Sequence, residues 1–228
     1  MNEHFKPLLN DEYTGDAPSK RLLAYLQSKR NKGKRIIGVY CSYAPVELIR
    51  AFGLIPATLC AFSSATIDAA ETVLPTNLCP LIKSSYGFII KDSCPFFGLS
   101  EAVVGETTCD GKKKMFELIS GYKPLHVMDL PQMPDEPEAI ESWGAMISKF
   151  KQFLQDVSGH TATDEMIEAA IRDSNAKARH MNMIFDYLAL NPPVLGWEEL
   201  YDVLLLAQGA SVDDLAPLFD DIHIKLEE

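Results

Sequence analysis

Three cysteines recur at intervals of fifteen residues, and each stands beside a residue that forms turns. Cys79 and Cys94 are followed by proline, and Cys109 is followed by Asp-Gly. These neighbours place each sulfur at a turn, where thiolates from different segments can converge on a metal, and proline also removes one nearby backbone N–H. Because thiolates bind soft metals, the pattern indicates an iron–sulfur site.

The other two cysteines, Cys41 and Cys60, adjoin apolar residues rather than turn formers. Free cysteine usually behaves as a small buried apolar side chain, and this interpretation fits both positions. The histidines are scattered along the chain and show no ligand spacing, so we assign none of them to a metal.

Two other classes of protein would also use such cysteines. A structural zinc site could combine the same three with a fourth ligand, but zinc ligands usually come in close pairs such as Cys-x-x-Cys, and the sequence has none. A non-catalytic protein that carries a cluster for electron transfer is the second alternative. An anaerobic preparation separates them, because iron, sulfide and broad visible absorbance identify a cluster, whereas colourless protein with zinc identifies the structural site.

Length and charge set the frame for these interpretations. A chain of 228 residues can bury a sizeable core. Its net charge of −11 and the lack of a basic stripe argue against a nucleic-acid partner. No apolar run reaches the roughly 18 residues of a membrane helix, and no secretory signal is visible at the N-terminus. We therefore predict a cytoplasmic protein without a membrane partner, in a compartment where thiols stay reduced.

Short apolar runs alternate with amphipathic stretches over residues 34–128. This alternation predicts an α/β fold, a parallel sheet with flanking helices of the Rossmann/flavodoxin-like class. Helices are predicted over 45–52, between Pro45 and Gly53, and over 110–119. The predicted strands are 35–40, 54–59, 102–105 and 124–128.

Three prolines interrupt residues 129–137, and the sequence beyond them is mainly helical. Apolar residues there recur at helical spacing and predict core contacts rather than cofactor contacts. We expect a helical segment to follow the sheet. The predicted division of the chain is a helical lead at 1–33, an α/β cluster-binding domain at 34–135 and a helical segment at 136–228.

Three stretches of the sequence resemble the 2-hydroxyacyl-CoA dehydratase / benzoyl-CoA reductase family. They are residues 38–53, 74–88 and 104–115, which read GVYCSYAPVELIRAFG, LPTNLCPLIKSSYGF and VGETTCDGKKKM. With the Cys-Pro-Phe-Phe of residues 94–97 between them, they are most similar to the double-cubane-cluster branch of that family. The resemblance runs from about residue 20 to the end of the chain.

The resemblance implies an iron–sulfur cofactor, either 4Fe-4S or a double-cubane 8Fe-9S cluster, bound by Cys79, Cys94 and Cys109. Cys41 lies in the first matching stretch and is a further candidate ligand. The implied reaction is the reduction or dehydration of a small substrate or acyl-CoA, with electrons from a separate ATP-hydrolysing iron–sulfur activator protein. The sequence contains no glycine-rich phosphate loop, consistent with ATP being bound by that partner.

Two candidate catalytic residues follow the first predicted strand. Ser42 and Glu47 stand just after its end, which is where α/β folds place ligands. Glu47 is a candidate acid–base group. Its alternative role is that of a solvated glutamate in the first turn of a helix, where a negative charge is favourable.

Four further residues are candidates for contact with the cofactor. Lys83, Ser84 and Ser85 follow Cys79 closely, so that their N–H and hydroxyl groups could bond to cluster sulfides. Lys112 begins the helix after Cys109, and its positive charge would offset an anionic cluster or help the activator to dock. The alternative for Lys112 is a solvated helix face.

Relatives in the family continue into a second α/β domain that supplies further cysteine ligands. This sequence has no cysteine after Cys109. The resemblance therefore implies that a C-terminal domain or a second subunit completes the site, and that the protein is a dimer. We expect the 228-residue chain alone to be an incomplete catalyst or an inactive fragment that retains little intact cluster.

Overall fold

A four-stranded sheet organises the computed structural model of the protein, which describes residues 19–61, 63–190 and 195–227. All strand pairs are parallel and the strand order is β2-β1-β3-β4, which confirms the predicted α/β fold. The chain starts at β1, moves outward to β2 and returns to β3, so β1 and β3 flank the point where the winding reverses. The strands are β1 (Ile36–Val39), β2 (Ile55–Thr58), β3 (Ala102–Glu106) and β4 (Leu125–Met128).

Within the described residues, six α-helices and one short 3-10 helix (Ser64–Thr66) accompany the strands. The helix predicted before Gly53 is present, and the glycine that follows it has a φ of 70°, a left-handed conformation that glycine adopts without strain. The helix predicted over 110–119 has those bounds. In chain order they are α1 (Ser19–Asn31), α2 (Val46–Ala51), α3 (Ile67–Ala70), α4 (Pro80–Ile90), α5 (Pro95–Leu99) and α6 (Asp110–Ile119).

Three of these helices, α3, α4 and α5, were not predicted from the sequence. Residues 82–87 of α4 are all buried, including the polar Lys83, Ser84 and Ser85. A helix surrounded by protein does not show the alternation of polar and apolar residues on which helix prediction depends. The short α5 has only five residues, too few for a periodic signal.

Helices cover both faces of the sheet, as predicted. On one face α2 packs through Phe52 against a core that includes Phe150. On the other face Tyr40 and Phe116 form a core with residues of α4 and α6, and their ring centroids are 5.8 Å apart. Gly105 in β3 allows this packing, since a Cβ there would lie 2.3 Å from the Phe116 ring.

In the described part of residues 136–228, which were predicted to be helical, four helices follow the sheet. The first two, α7 and α8, share the core of the α2 face, where α7 packs on β4 and α2, and α8 packs on α2. Polar contacts add to this attachment, because Arg50 of α2 and Lys177 both donate to the carbonyl of Ala210, at 2.8 and 3.0 Å. These helices are α7 (Pro137–Ser158), α8 (Asp164–Leu188), α9 (Trp197–Gly209) and α10 (Val212–Glu227).

The predicted domain boundaries stay predictions. Residues 1–18 of the predicted helical lead lie outside the described residues, and α1 occupies most of the remainder. Within the part of the chain that the structure describes, no helix combines the length and apolar character needed to cross a bilayer.

Candidate functional site

Each of the three predicted cysteine ligands immediately precedes a helix. Cys79, Cys94 and Cys109 are the N-cap residues of α4, α5 and α6. Proline occupies the first turn of α4 and of α5, where its fixed φ favours the start of a helix and its missing N–H is not needed. The prediction that these cysteines lie on loops or helix starts is therefore confirmed.

Two of these sulfurs, at Cys79 and Cys109, belong to solvent-exposed residues, and we call them the exposed pair. The helices that follow them meet at their starts. A Cβ added at Gly111 would lie 2.7 Å from the Ile82 side chain and 2.8 Å from that of Leu78. Gly111 is therefore required because the start of α6 lies close to the segment that carries Cys79.

The third predicted ligand has a different environment. Cys94 and Cys60, which we call the pocket pair, are half-buried and line a cavity of about 390 Å³ with mainly apolar walls. The Cys94 Sγ accepts a hydrogen bond from the Phe97 N–H at 3.3 Å. Burial raises the pKa of both thiols. The pocket pair is consequently held in the neutral thiol form.

The three predicted ligands do not form one preassembled metal site. Among residues 19–61, 63–190 and 195–227, no three cysteine, histidine or carboxylate side chains are grouped so that they could hold a metal. Convergence of the three cysteines at one edge of the sheet stays a prediction. The exposed pair has the donor chemistry of a partial iron–sulfur ligand set, namely two accessible sulfurs at helix N-termini that meet. The ligand roles themselves stay predictions.

Cys41 lies at the point where the winding of the sheet reverses, at the end of β1. It is one of two described non-glycine residues with positive φ, at 70°, a conformation that costs about 1–3 kcal/mol. Its Sγ lies 3.7 Å from the Thr108 hydroxyl and contacts the Lys112 ammonium. Thr108 immediately precedes Cys109 and Lys112 lies in the first turn of α6, so these contacts place a third sulfur near the start of α6.

Glu106, the last residue of β3, is a site residue that our sequence analysis missed. It is fully buried, with 0% exposure. Its Oε1 accepts hydrogen bonds from the N–H groups of Tyr43 and Ala44, each at 2.6 Å. Burial raises its pKa, while these bonds and one from the Ser42 N–H act in the opposite direction. The available signal was a carboxylate directly after an apolar strand at the carboxyl edge of a parallel sheet.

The predicted cofactor contacts at Lys83, Ser84 and Ser85 are all buried, and their polar groups bond to the protein itself. Lys83 Nζ bonds to the Glu71 carboxylate and to the Thr76 carbonyl, both at 2.6 Å. Ser84 and Ser85 bond to the backbone of Ala61, at 3.2 Å each. These three side chains hold neighbouring loops in place, and a contact with a cofactor stays a prediction for them.

The remaining predicted site residues surround the end of β1. Ser42 is exposed, and Glu47 is half-buried in the first turn of α2. Glu47 acts on Lys177 of α8, whose pKa is lowered to about 8, chiefly by burial. Burial also lowers the pKa of Lys112, which contacts Cys41. The structure thus brings Lys112 and Ser42 to the same sheet edge, while Glu47 faces the helical segment.

The sequence matches known proteins over most of its length. A family model described as 2-hydroxyglutaryl-CoA dehydratase, D-component, matches residues 41–228. YjiM of Escherichia coli (strain K12), provisionally named a dehydratase subunit, is 38% identical over 205 residues, which cover 90% of this chain and 52% of that protein. The lactoyl-CoA dehydratase subunit beta of Anaerotignum propionicum is 25% identical over 169 residues, which cover 73% of this chain and 44% of that protein. The chain spans about half the length of these curated relatives.

Proposed function

Because the chain belongs to the 2-hydroxyglutaryl-CoA dehydratase D-component family, we propose that it contributes cysteine ligands to a low-potential iron–sulfur cluster, either 4Fe-4S or double-cubane 8Fe-9S. The function would be the activator-driven dehydration or reduction of a small substrate or acyl-CoA. When bound, such a cluster supplies low-potential electrons and an iron open to substrate. The observation that carries the proposal is the exposed pair, with its two accessible sulfurs on helix starts that touch.

The chain's own residues would prepare the site in two ways. The starts of α4 and α6 place Cys79 and Cys109 at exposed N-cap positions. The Lys112 ammonium adds positive charge beside Cys41, which makes Cys41 a candidate third sulfur. Cys94 remains a candidate ligand by its match to the family motif, although its sulfur lies in an apolar cavity.

Partners of two kinds follow from the same proposal. A C-terminal domain or a second subunit would supply the remaining ligands, since the chain covers 52% and 44% of its two relatives. One relative is named as a subunit beta, which supports an assembly of several chains, a dimer in its simplest form. A separate iron–sulfur protein that hydrolyses ATP would deliver the electrons.

Anaerobic reconstitution tests the ligand assignment. Iron and acid-labile sulfide per chain are measured for Cys79→Ser, Cys109→Ser, Cys94→Ser and Cys41→Ser, with Cys60→Ser as the matched control from the apolar cavity. For the unmodified chain alone we expect iron below that of a complete cluster, and loss of most of it in the Cys79 and Cys109 variants. Wild-type iron content in either of those two variants would refute the proposal.

The functional part of the proposal needs the assembled protein. The chain is combined with a C-terminal half, the activator and ATP, and substrate turnover is followed under anaerobic conditions. Dehydration or reduction that requires all four components supports the proposed enzyme. A stable cluster without turnover identifies the electron-transfer carrier instead, and zinc in colourless protein identifies the structural module.

A further inference from the structure

Glu106 is a fully buried carboxylate at the point where the winding of the sheet reverses. It ends β3, the strand that pairs with β1, and has 0% exposure. Carboxylates are almost never fully buried unless they are paired. Among the residues that the structure describes, no lysine, arginine or histidine side chain forms an ion pair with it. Its partners must therefore come from elsewhere.

The partners are consecutive backbone N–H groups of one loop. Tyr43 and Ala44 donate to Oε1 at 2.6 Å each, and the Ser42 N–H bonds to the same carboxylate. Successive N–H groups that converge on one anion form a nest, a concavity that usually holds a bound anion. Here the anion is a side chain of the neighbouring strand, so Glu106 fastens the loop after β1 to the end of β3.

The fastened loop begins directly after Cys41, whose backbone is in the left-handed region with a φ of 70°. Cysteine lacks the freedom of glycine there, so surrounding contacts must hold this conformation. On its C-terminal side the contacts are those of Glu106 with residues 42–44. The Cys41 side chain itself contacts the Thr108 hydroxyl and the Lys112 ammonium.

We infer that Glu106 is a positioning residue for Cys41: its carboxylate fixes residues 42–44, and this keeps the Cys41 sulfur against Thr108 and Lys112 beside the start of α6. The local inference stands on these contacts alone. Its extension to the cofactor, that Glu106 presents Cys41 as a third sulfur beside the exposed pair, rests on the proposed function.

Two substitutions separate the reach of the carboxylate from its charge. Glu106→Asp keeps the charge but shortens the side chain by one methylene, so the bonds to residues 42–44 are lost or stretched. Glu106→Gln keeps the length and the Oε1 acceptor. The other oxygen, Oε2, has no hydrogen-bond partner among the described residues, so an amide there displaces no existing bond. Glu117→Asp is the matched control, because Glu117 is exposed on α6 and pairs with Lys114.

The measurement is the alkylation rate of each cysteine in iron-free, folded protein, by mass spectrometry of peptides, with Cys79 as the internal reference. In Glu106→Asp we expect the ratio of the Cys41 rate to the Cys79 rate to rise at least fivefold, because the half-buried Cys41 is released. In Glu106→Gln and Glu117→Asp it stays within twofold of wild type. A smaller rise, or a fall, in Glu106→Asp would overturn the inference.

A second measurement applies if Glu106→Asp does not fold. Glu106→Asp is then combined with Cys41→Gly, which removes the backbone strain at residue 41. A cooperative thermal unfolding transition in the double variant supports the coupling, and its absence overturns it. Iron content after reconstitution is scored separately. If the alkylation ratio is unchanged and the iron content depends on the exposed pair, only the positioning role is refuted. If the ratio rises as expected but the iron content does not depend on the exposed pair, only the proposed function is refuted.

Discussion

The exposed pair and the pocket pair contain the same residue type on the same side of one sheet, yet their chemistry differs. Cys79 and Cys94 even share a local sequence, Cys-Pro, and the same position before a helix. Cys79 is exposed, whereas Cys94 lies beside Cys60 in a largely apolar cavity. Burial raises the pKa of the pocket pair. The comparison teaches that what covers a cysteine determines whether a thiolate is available.

Truncating the buried aromatic residue in the core beside the pocket pair should have the largest effect. Tyr40 is 2% exposed, packs on Phe116 and belongs to the core against which Cys60 and Cys94 pack. Truncation of a buried aromatic leaves a cavity, so Tyr40→Ala should lower the free energy of unfolding by about 3–5 kcal/mol. It should also speed alkylation of the pocket pair and so reduce its difference from the exposed pair.

Tyr43→Ala is the control for this prediction, since the same residue type three positions later is 61% exposed. Its free energy of unfolding should stay within about 0.5 kcal/mol of wild type. Denaturant unfolding measures both variants. Equal losses in the two would show that Tyr40 has no special role beside the pocket pair.

Alkylation rates in the unmodified protein compare the exposed pair with the pocket pair directly. At neutral pH and without metal, the exposed pair should react with iodoacetamide on the order of tenfold faster than the pocket pair, because both access and thiolate fraction are lower in the cavity. Alkylation followed residue by residue gives the four rates. In denaturant the rates should converge. Similar rates in the folded protein would contradict the assignment of two environments.

The pH dependence of stability sharpens the comparison through Cys60. Burial raises the pKa of its thiol from the ordinary 9.0, so the unfolded chain loses this proton first as the pH increases. The contribution to stability is therefore fully present below pH 9.0 and is lost as the pH rises through the folded pKa. Relative to Cys60→Ala, the wild-type protein should lose stability in that range, measured by unfolding at several alkaline pH values. Parallel curves for the two proteins would contradict the prediction.

The smallest effect is expected at the exposed pair itself. Cys109 is exposed and its side chain makes no capping bond to α6 in the described structure. In metal-free protein, Cys109→Ser should change the free energy of unfolding by less than about 0.5 kcal/mol, because an exposed sulfur contributes little packing and serine is a preferred N-cap residue. Thermal unfolding checks this. A loss above 1 kcal/mol, roughly twice the usual surface range, would show that the sulfur is structurally required.

Much of the sheet domain could be predicted from the sequence. The four parallel strands and the helices after Pro45 and Asp110 followed from apolar runs and from turn residues. The positions of Cys79, Cys94 and Cys109 at helix starts followed from the proline or glycine beside each of them. The helix α4 did not, because its buried lysine and serines hide the periodicity that marks a surface helix.

The sequence by itself determined the parallel α/β class and, through its matching motifs, the dehydratase family. Both depend on local order along the chain, such as apolar runs, turn residues and contiguous motifs. Only the tertiary structure decided which cysteines are exposed, that Lys83 bonds to Glu71, and that Glu106 holds the loop after Cys41. These contacts join residues distant in sequence, and burial depends on how the helices and strands pack, which neither composition nor spacing records.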